Sequence, residues 1–265
     1  MNATKLSRGV LVTLSLAFAF FTPLSGDCRL FANGVNQSVE SAATQFELFN
    51  RGVAGDTSSD LLARVDQDVV ALQPDLTIVM VGTNDMLNSS KMISMAQYKE
   101  NLTQIIERIQ ATGSDVMLLS SLPADSEYLF KRHDKSKFTS HPDVLMSQAR
   151  DIAKALSQSF DCHFVDLFEE FTQRGIPQHN TDVYIRNEVN SRKEDGVHPT
   201  AEGYTLMGQI IWHYFLVNNL AARYKRVVCF GDSITKGVGA SGAGTIVGEN
   251  YPSYLNIKLR SNEKY

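Results

Sequence analysis

Four short segments of this 265-residue chain carry side chains that could act together on an acyl group. Gly231-Asp232-Ser233-Ile234 offers a serine hydroxyl just ahead of a glycine-rich stretch. Asp195-Gly196-Val197-His198-Pro199 offers an imidazole with a carboxylate three residues before it. Gly82-Thr83-Asn84-Asp85 offers a side-chain amide, and Gly52-Val53-Ala54-Gly55-Asp56 a glycine turn whose backbone N–H groups can be approached closely. Ser233 can attack, His198 can take its proton, and Asp195 can fix the imidazole tautomer and stabilise the imidazolium. Asn84 can donate to a developing oxyanion. Each segment alone is an ordinary turn, and D-x-x-H is also a metal-ligand spacing. The same residues therefore leave a second chemistry open, a metal-dependent hydrolase using Asp195 and His198 with Asp85 or Asp232.

These segments can meet only if the fold brings them together, and the surrounding pattern predicts that it does. Phe46–Asn50 reads as a short apolar strand, Leu76–Val81 as a continuous apolar one, and Val116–Leu119, Phe164–Phe168 and Val227–Phe230 as three more. Helices are expected between them. Thr57 and Asp60 form a capping box ahead of Leu61, Leu62, Val65, Val69 and Leu72, and Pro74 ends that helix. Tyr98, Leu102, Ile105, Ile106 and Ile109 mark the next helix, closed by Gly113. Further helices are expected over 142–159, from Thr200 to about Leu220 with a stripe at Leu206, Ile210 and Phe215, and over 249–261. Residues 124–141, with the basic cluster Lys131, Arg132 and Lys135, read as a solvated loop, and 172–198 as a long loop or broken helix. Strands that are apolar throughout, alternating with helices, predict one α/β domain with a parallel sheet covered on both faces. In such sheets the sites lie at the carboxyl ends of the strands, where three of the segments fall, the fourth preceding a long helix.

Composition narrows the class. Apolar residues make up 43% and charged residues 20%, which excludes a chain disordered throughout. A net charge of −4 argues against a nucleic-acid partner. Lys5 and Arg8 followed by the apolar run Gly9–Phe21 resemble a secretory signal peptide over residues 1–26, with cleavage between 26 and 32 and a single domain over 27–265. Pro23 and the short apolar run argue against an uncleaved anchor, and no later segment is a candidate span. The expected location is secreted or periplasmic. Cys229 sits in an apolar strand and reads as a core thiol, while Cys28 and Cys162 could pair. N-x-S/T triplets occur at Asn2, Asn36, Asn88 and Asn101. Tyr184, Trp212 and Tyr251 are candidates to line an acyl or sugar pocket, though such residues more often pack in a core.

Together the segments Val228-Cys229-Phe230-Gly231-Asp232-Ser233-Ile234-Thr235, Asn50–Ser58, Val81-Gly82-Thr83-Asn84-Asp85 and Asp195–Pro199 resemble the motif blocks of the SGNH, or GDSL-type, hydrolase family. The resemblance implies a flavodoxin-like three-layer α/β/α sandwich with a five-stranded parallel sheet. It implies Ser233 as nucleophile, His198 as base and Asp195 as its orienter. Gly55, Asn84 and the backbone N–H of Ser233 would form the oxyanion hole. No cofactor or metal is implied. Ile234 stands where the family usually has Leu. One departure is large: the order Gly55, Asn84, Asp195, His198, Ser233 is a rotation of the family's usual order, in which the Ser block comes first. A circular permutation is the expectation, with the strands, numbered in chain order, lying first-fifth-second-third-fourth. The implied activity is a secreted serine esterase. It would hydrolyse carboxylic esters (short-chain acyl, sugar acetyl or lysolipid) through an acyl-serine, without a stable membrane span after signal cleavage. The alternative in another class is a non-catalytic carbohydrate- or lipid-binding module on the same fold.

Overall fold

The computed structural model describes residues 46–262. β1 (Glu47–Gly52) ends in the turn that carries Gly55. α1 (Ser58–Asp68) starts on the expected capping box, with the Thr57 side chain accepting from the Asp60 N–H and the Asp60 carboxylate accepting from the Thr57 N–H at 2.9 Å. These bonds occupy backbone donors at the end of the helix that would otherwise lack partners. A 3-10 turn over Val70–Leu72 follows, ahead of Pro74. β2 (Leu76–Met80) is buried along its whole length and passes directly into α2 (Thr83–Leu87). α3 (Met95–Gln110), N-capped by Ser94, buries Tyr98, Leu102, Ile105, Ile106 and Ile109, as its spacing predicted. β3 (Asp115–Leu119) comes next.

The stretch after β3 departs from expectation. Residues 124–141 hold a helix, α4 (Ser126–Arg132), N-capped by Asp125, and a 3-10 turn at Lys135–Lys137. Only Tyr128 and Leu129 of α4 are buried, so no apolar period marked it. α5 (Pro142–Ser159) matches its predicted span. β4 (His163–Val165) is shorter than predicted, because Asp166 caps a new helix, α6 (Leu167–Gln173), and takes Leu167 and Phe168 out of the sheet. Within 172–198 lies one helical turn, α7 (Glu188–Ser191), set by a capping box between Asn187 and Asn190. α8 (Ala201–Val217) buries Tyr204, Met207, Ile211 and Phe215, with Leu206 and Ile210 of the expected stripe at its half-buried margin. β5 (Arg226–Gly231), α9 (Ser233–Lys236) and α10 (Tyr251–Asn262) complete the described chain.

All five strands are parallel, in the order β1-β5-β2-β3-β4. Side chains alternate between the faces. Ile78, Met80, Val227 and Cys229 pack with Tyr204, Met207 and Ile211 of α8 and with Tyr251 and Leu255 of α10. Val79, Val228 and Phe230 pack with Leu61 and Val65 of α1, Ile105 and Ile109 of α3 and Ala149 of α5. Helices thus cover both faces, which is why the strands read as unbroken apolar runs. Cys229 is fully buried in this core, and burial raises its thiol pKa far above the ordinary value. Cys162 is half-buried, its thiol pushed up to about 12 by burial. Cys28 and the expected signal peptide lie outside the described residues. Among the described residues no helix is long and apolar enough to cross a membrane.

Candidate active site

β5 delivers Ser233. The strand ends at Gly231, Asp232 accepts a hydrogen bond from the Ile234 N–H at 2.9 Å, and Ser233 becomes the first residue of α9. β1 runs alongside, and its last residue, Gly52, passes so close to α9 that a Cβ there would lie 2.1 Å from the Lys236 nitrogen. Only glycine allows that approach. The turn after β1 is thereby pressed against the serine-bearing turn.

The loop ahead of α8 delivers the acid and the imidazole. Asp195 Oδ1 accepts from the backbone N–H of Val197 at 3.1 Å and of His198 at 3.0 Å, which curls the segment into a tight turn. His198 Nδ1 lies 2.9 and 3.0 Å from the two Asp195 carboxylate oxygens, and its Nε2 lies 2.9 Å from Ser233 Oγ. Serine, imidazole and carboxylate thus form one hydrogen-bonded row, the geometry in which a ring can take a hydroxyl proton while its other nitrogen is held. Burial works against ionised Asp195, but the hydrogen bonds and charge of His198, with Arg132, outweigh it and hold the carboxyl down at about 2. Two residues absent from the expected site support this acid. Arg132 donates to the Asp195 carbonyl at 2.5 Å, and Arg186 lies 3.4 Å from its Oδ2. The segment of Arg132 reads in the sequence as a solvated loop, and only the helix α4 turns it toward the site.

Asn84 projects from α2, and its Nδ2 donates to the Asp56 carbonyl at 2.9 Å. That bond uses one of two amide hydrogens and leaves the second available. Asn84, His198 and Ser233 line one small cavity of about 50 Å³ with Leu129, Arg132 and Val197. Gly55, one residue before Asp56, has φ of 87° and its carbonyl accepts from Lys91 Nζ at 2.6 Å. It is not among the residues lining that cavity, whereas its neighbour Asp56 is bonded to the lining residue Asn84. Larger hollows of about 390 Å³ lie elsewhere, one beside Phe168, Ile176 and His179 and one beside Tyr184 and Leu206, and Ser233 lines neither.

Two carboxylates named for a metal alternative are engaged otherwise. Asp85 is fully buried and takes the Ser58 N–H at 2.9 Å and the Ser58 hydroxyl, which in turn accepts from Asn101 Nδ2 at 2.9 Å. Burial raises its pKa. This network anchors α2 to the start of α1, and it also draws the Asn101 amide into the interior. Asp232 is fully buried, and burial lifts its carboxyl to about 7 against the opposing pull of the Ile234 N–H and of His198. Its Oδ2 and the Thr83 hydroxyl are both buried with no well-formed hydrogen bond among the described residues, and the Thr83 hydroxyl adds only the smallest of the pulls toward the ionised form. Among the described residues no group of three or more His, Cys, Asp or Glu side chains could hold a metal ion. Of the aromatic candidates, Tyr251 is core, bonded to Thr235 at 2.9 Å; Trp212 packs against the core from α8; Tyr184 borders a hollow away from Ser233.

The profile of the GDSL-like lipase/acylhydrolase family matches residues 22–206. The chain belongs to that family. Its α/β sheet is that of the SGNH hydrolase fold, and the relatives agree with the assignment. The uncharacterized lipoprotein YqeF of Bacillus subtilis is 25% identical over 138 residues, 48% of this chain and 57% of the relative, so the chain spans little more than half of that protein. An acetylxylan esterase of Geobacillus stearothermophilus is 22% identical over 167 residues, 60% of this chain and 68% of the relative. Among solved structures, an acetyl xylan esterase, AlAXEase, superposes with a TM-score of 0.50 at 18% identity, covering 62% of this chain and 78% of that one, a likeness of fold. The matched family segment ends before Ser233.

Proposed function

We propose that this protein is an exported serine esterase that cleaves carboxylic esters through an acyl-serine intermediate. The observation that carries the proposal is the 2.9 Å bond from His198 Nε2 to Ser233 Oγ, with Nδ1 of the same ring on Asp195. In this reading His198 deprotonates Ser233 as it attacks the ester carbonyl, and Asp195 stabilises the imidazolium. The Asn84 amide and the Ser233 N–H receive the oxyanion at the cavity, and the family resemblance assigns the Gly55 N–H as the third donor. His198 then protonates the departing alcohol, takes a proton from water as the water attacks the acyl-serine carbonyl, and passes that proton to Ser233 Oγ as the carboxylic acid is released. Neither metal nor cofactor enters. The metal-dependent alternative has little support, since both His198 nitrogens are committed to Asp195 and Ser233.

The small cavity supports a short acyl group. About 50 Å³ takes a few water-sized groups, which suits acetate better than a long acyl chain. The acetylxylan esterase relative favours an acetylated carbohydrate as the alcohol side. The leader-like first 26 residues support export, with residues 27–265 as the mature domain. A circularly permuted order is supported by two observations. The serine-bearing β5 lies between β1 and β2, and the family match stops at residue 206.

Turnover of p-nitrophenyl acetate and butyrate by the parent and by Ser233→Ala tests the activity. Loss of turnover in the variant is expected, and undiminished turnover would overturn the proposal. A panel of acetylated xylo-oligosaccharides, p-nitrophenyl esters of rising chain length and lysophospholipid tests the substrate. Highest kcat/KM on the acetylated sugar is expected, and a preference for long acyl chains would overturn that part.

A further inference from the structure

One side chain outside the reacting row bonds both to the end of β5 that leads to Ser233 and to the turn after β1 that holds Asn84. Arg64 projects from the middle of α1 and is largely buried, its side chain 17% exposed. Its Nε donates to Asp56 Oδ2 at 2.7 Å, and its Nη2 to the Gly231 carbonyl at 2.9 Å. Its Nη1 donates to the Arg51 carbonyl at 3.1 Å and to Asp68 Oδ2 at 2.7 Å. The guanidinium lies over the Phe230 ring, 4.5 Å from its centroid. Gly231 stands two residues before Ser233, and Arg51 stands at the end of β1. Asp56 is the residue whose carbonyl holds Asn84. A second link runs parallel, from the Val53 N–H to the same Gly231 carbonyl at 3.0 Å.

We infer that Arg64 is a positioning residue that sets the oxyanion donors against the nucleophile, through Asp56 and Asn84 on one side and Gly231 on the other. The inference rests on the esterase reading above. The physical reason is the planar fork of the guanidinium. Its donors lie at fixed angles, so binding three backbone-linked acceptors at once fixes their relative places, whereas an ammonium is a single point with freely rotating donors. The phenyl face beneath adds an attraction that holds the plane flat. Transition-state stabilisation by oxyanion donors depends on their placement, and a displacement of about 1 Å can cost about 10²-fold in rate. Ground-state binding of a small ester depends on it far less. Arg64 therefore acts on kcat without touching substrate.

The test compares the parent with Arg64→Lys and Arg64→Met on p-nitrophenyl acetate, with active-site titration by a p-nitrophenyl phosphonate to count competent molecules. Per competent molecule, kcat is expected to fall about 10–100-fold in both variants, with KM within about threefold of the parent. Inhibition by an alkylboronic acid, whose tetrahedral adduct uses the same donors, is expected to weaken by a similar factor. Arg64→Lys keeps the charge and is expected not to rescue, which separates fork geometry from charge. Where either variant folds poorly, Asp56→Asn provides the second arm. It keeps the Asp56 carbonyl for Asn84 but loses the ionic link to Arg64, and a smaller fall in kcat of about 3–10-fold is expected. The inference is overturned by parental kcat per competent molecule in the Arg64 variants or in Asp56→Asn, or by full rescue in Arg64→Lys. Activity surviving in Ser233→Ala would overturn the esterase reading instead, so the two failures are distinct.

Discussion

Asp195 and Asp232 are both buried, and each belongs to a turn that carries one end of the His198–Ser233 hydrogen bond. Their surroundings shift their pKa values in opposite directions. Asp195 sits among donors: the imidazole, two backbone N–H groups, and two arginines. Its carboxyl is held down at about 2 and stays ionised. Asp232 has one backbone N–H and only a weak pull from the Thr83 hydroxyl, and burial lifts it to about 7. Partial burial among converging donors thus yields an anion, and complete burial with few donors yields a carboxyl that titrates near neutrality. The anion can stabilise an imidazolium, while Asp232 caps α9 through its bond from the Ile234 N–H. Pushing the pKa values of neighbouring carboxyls apart is how one site assigns them different tasks.

Substitutions can break this contrast or sharpen it. His198→Ala removes the group that joins the two turns and should lower kcat by about 10⁴-fold or more. Asp195→Asn keeps shape but loses the charge and the tautomer control, and should lower kcat by about 10³–10⁴-fold. Asn84→Ala, on the oxyanion side, should lower kcat by about 10²–10³-fold with a smaller effect on KM. Each is read from steady-state ester hydrolysis at pH 8. Asp232→Asn should have the smallest effect on kcat, and a loss as large as that of Asp195→Asn would erase the contrast between the two carboxyls.

Stability sharpens it further. A raised folded pKa means that Asp232 contributes stability below the unfolded value of 3.8, and this is lost as pH rises toward about 7. The depressed Asp195 behaves in the opposite sense, its contribution present above about 4 and lost as pH falls toward about 2. Thermal melts of Asp232→Asn should therefore lie above the parent at pH 8 and converge with it near pH 4, each kcal/mol of stability appearing as about 2–4 °C. A difference that is the same at both pH values would place Asp232 among ordinary ionised carboxylates.

Much of this was legible before any coordinates. The capping box at Thr57 and Asp60, the span of α5 and the strand order all followed from spacing and from the resemblance, because each rests on short-range chemistry or on a continuous pattern. Ser233, His198 and Asp195 were singled out by residue type and by place at element ends, and they do lie in one hydrogen-bonded row. What escaped had a common cause. α4 offers only Tyr128 and Leu129 to the interior, so neither it nor the inward turn of Arg132 left a period in the sequence. β4 was overrun because Leu167 and Phe168 continue an apolar run that Asp166 converts into a helix. Arg64 looked like any polar residue of an amphipathic helix. Its decisive partner, the Gly231 carbonyl, stands 167 residues away and is a backbone atom, which no side-chain pattern encodes.

The place of β5 in the sheet has a further consequence, for the growing chain. β5 pairs with β1 through Glu47↔Arg226 and with β2 through Leu76↔Val227, so the central gap of the sheet is filled by a strand made long after its neighbours. Contacts of such sequence separation are slow to form, and domains emerge from synthesis N-terminal end first. Until β5 arrives, β1 and β2 each expose an apolar, hydrogen-bond-hungry edge to other chains. Ser233 follows directly on the strand that closes that gap, so a nascent molecule gains the His198–Ser233 bond only when its sheet becomes continuous.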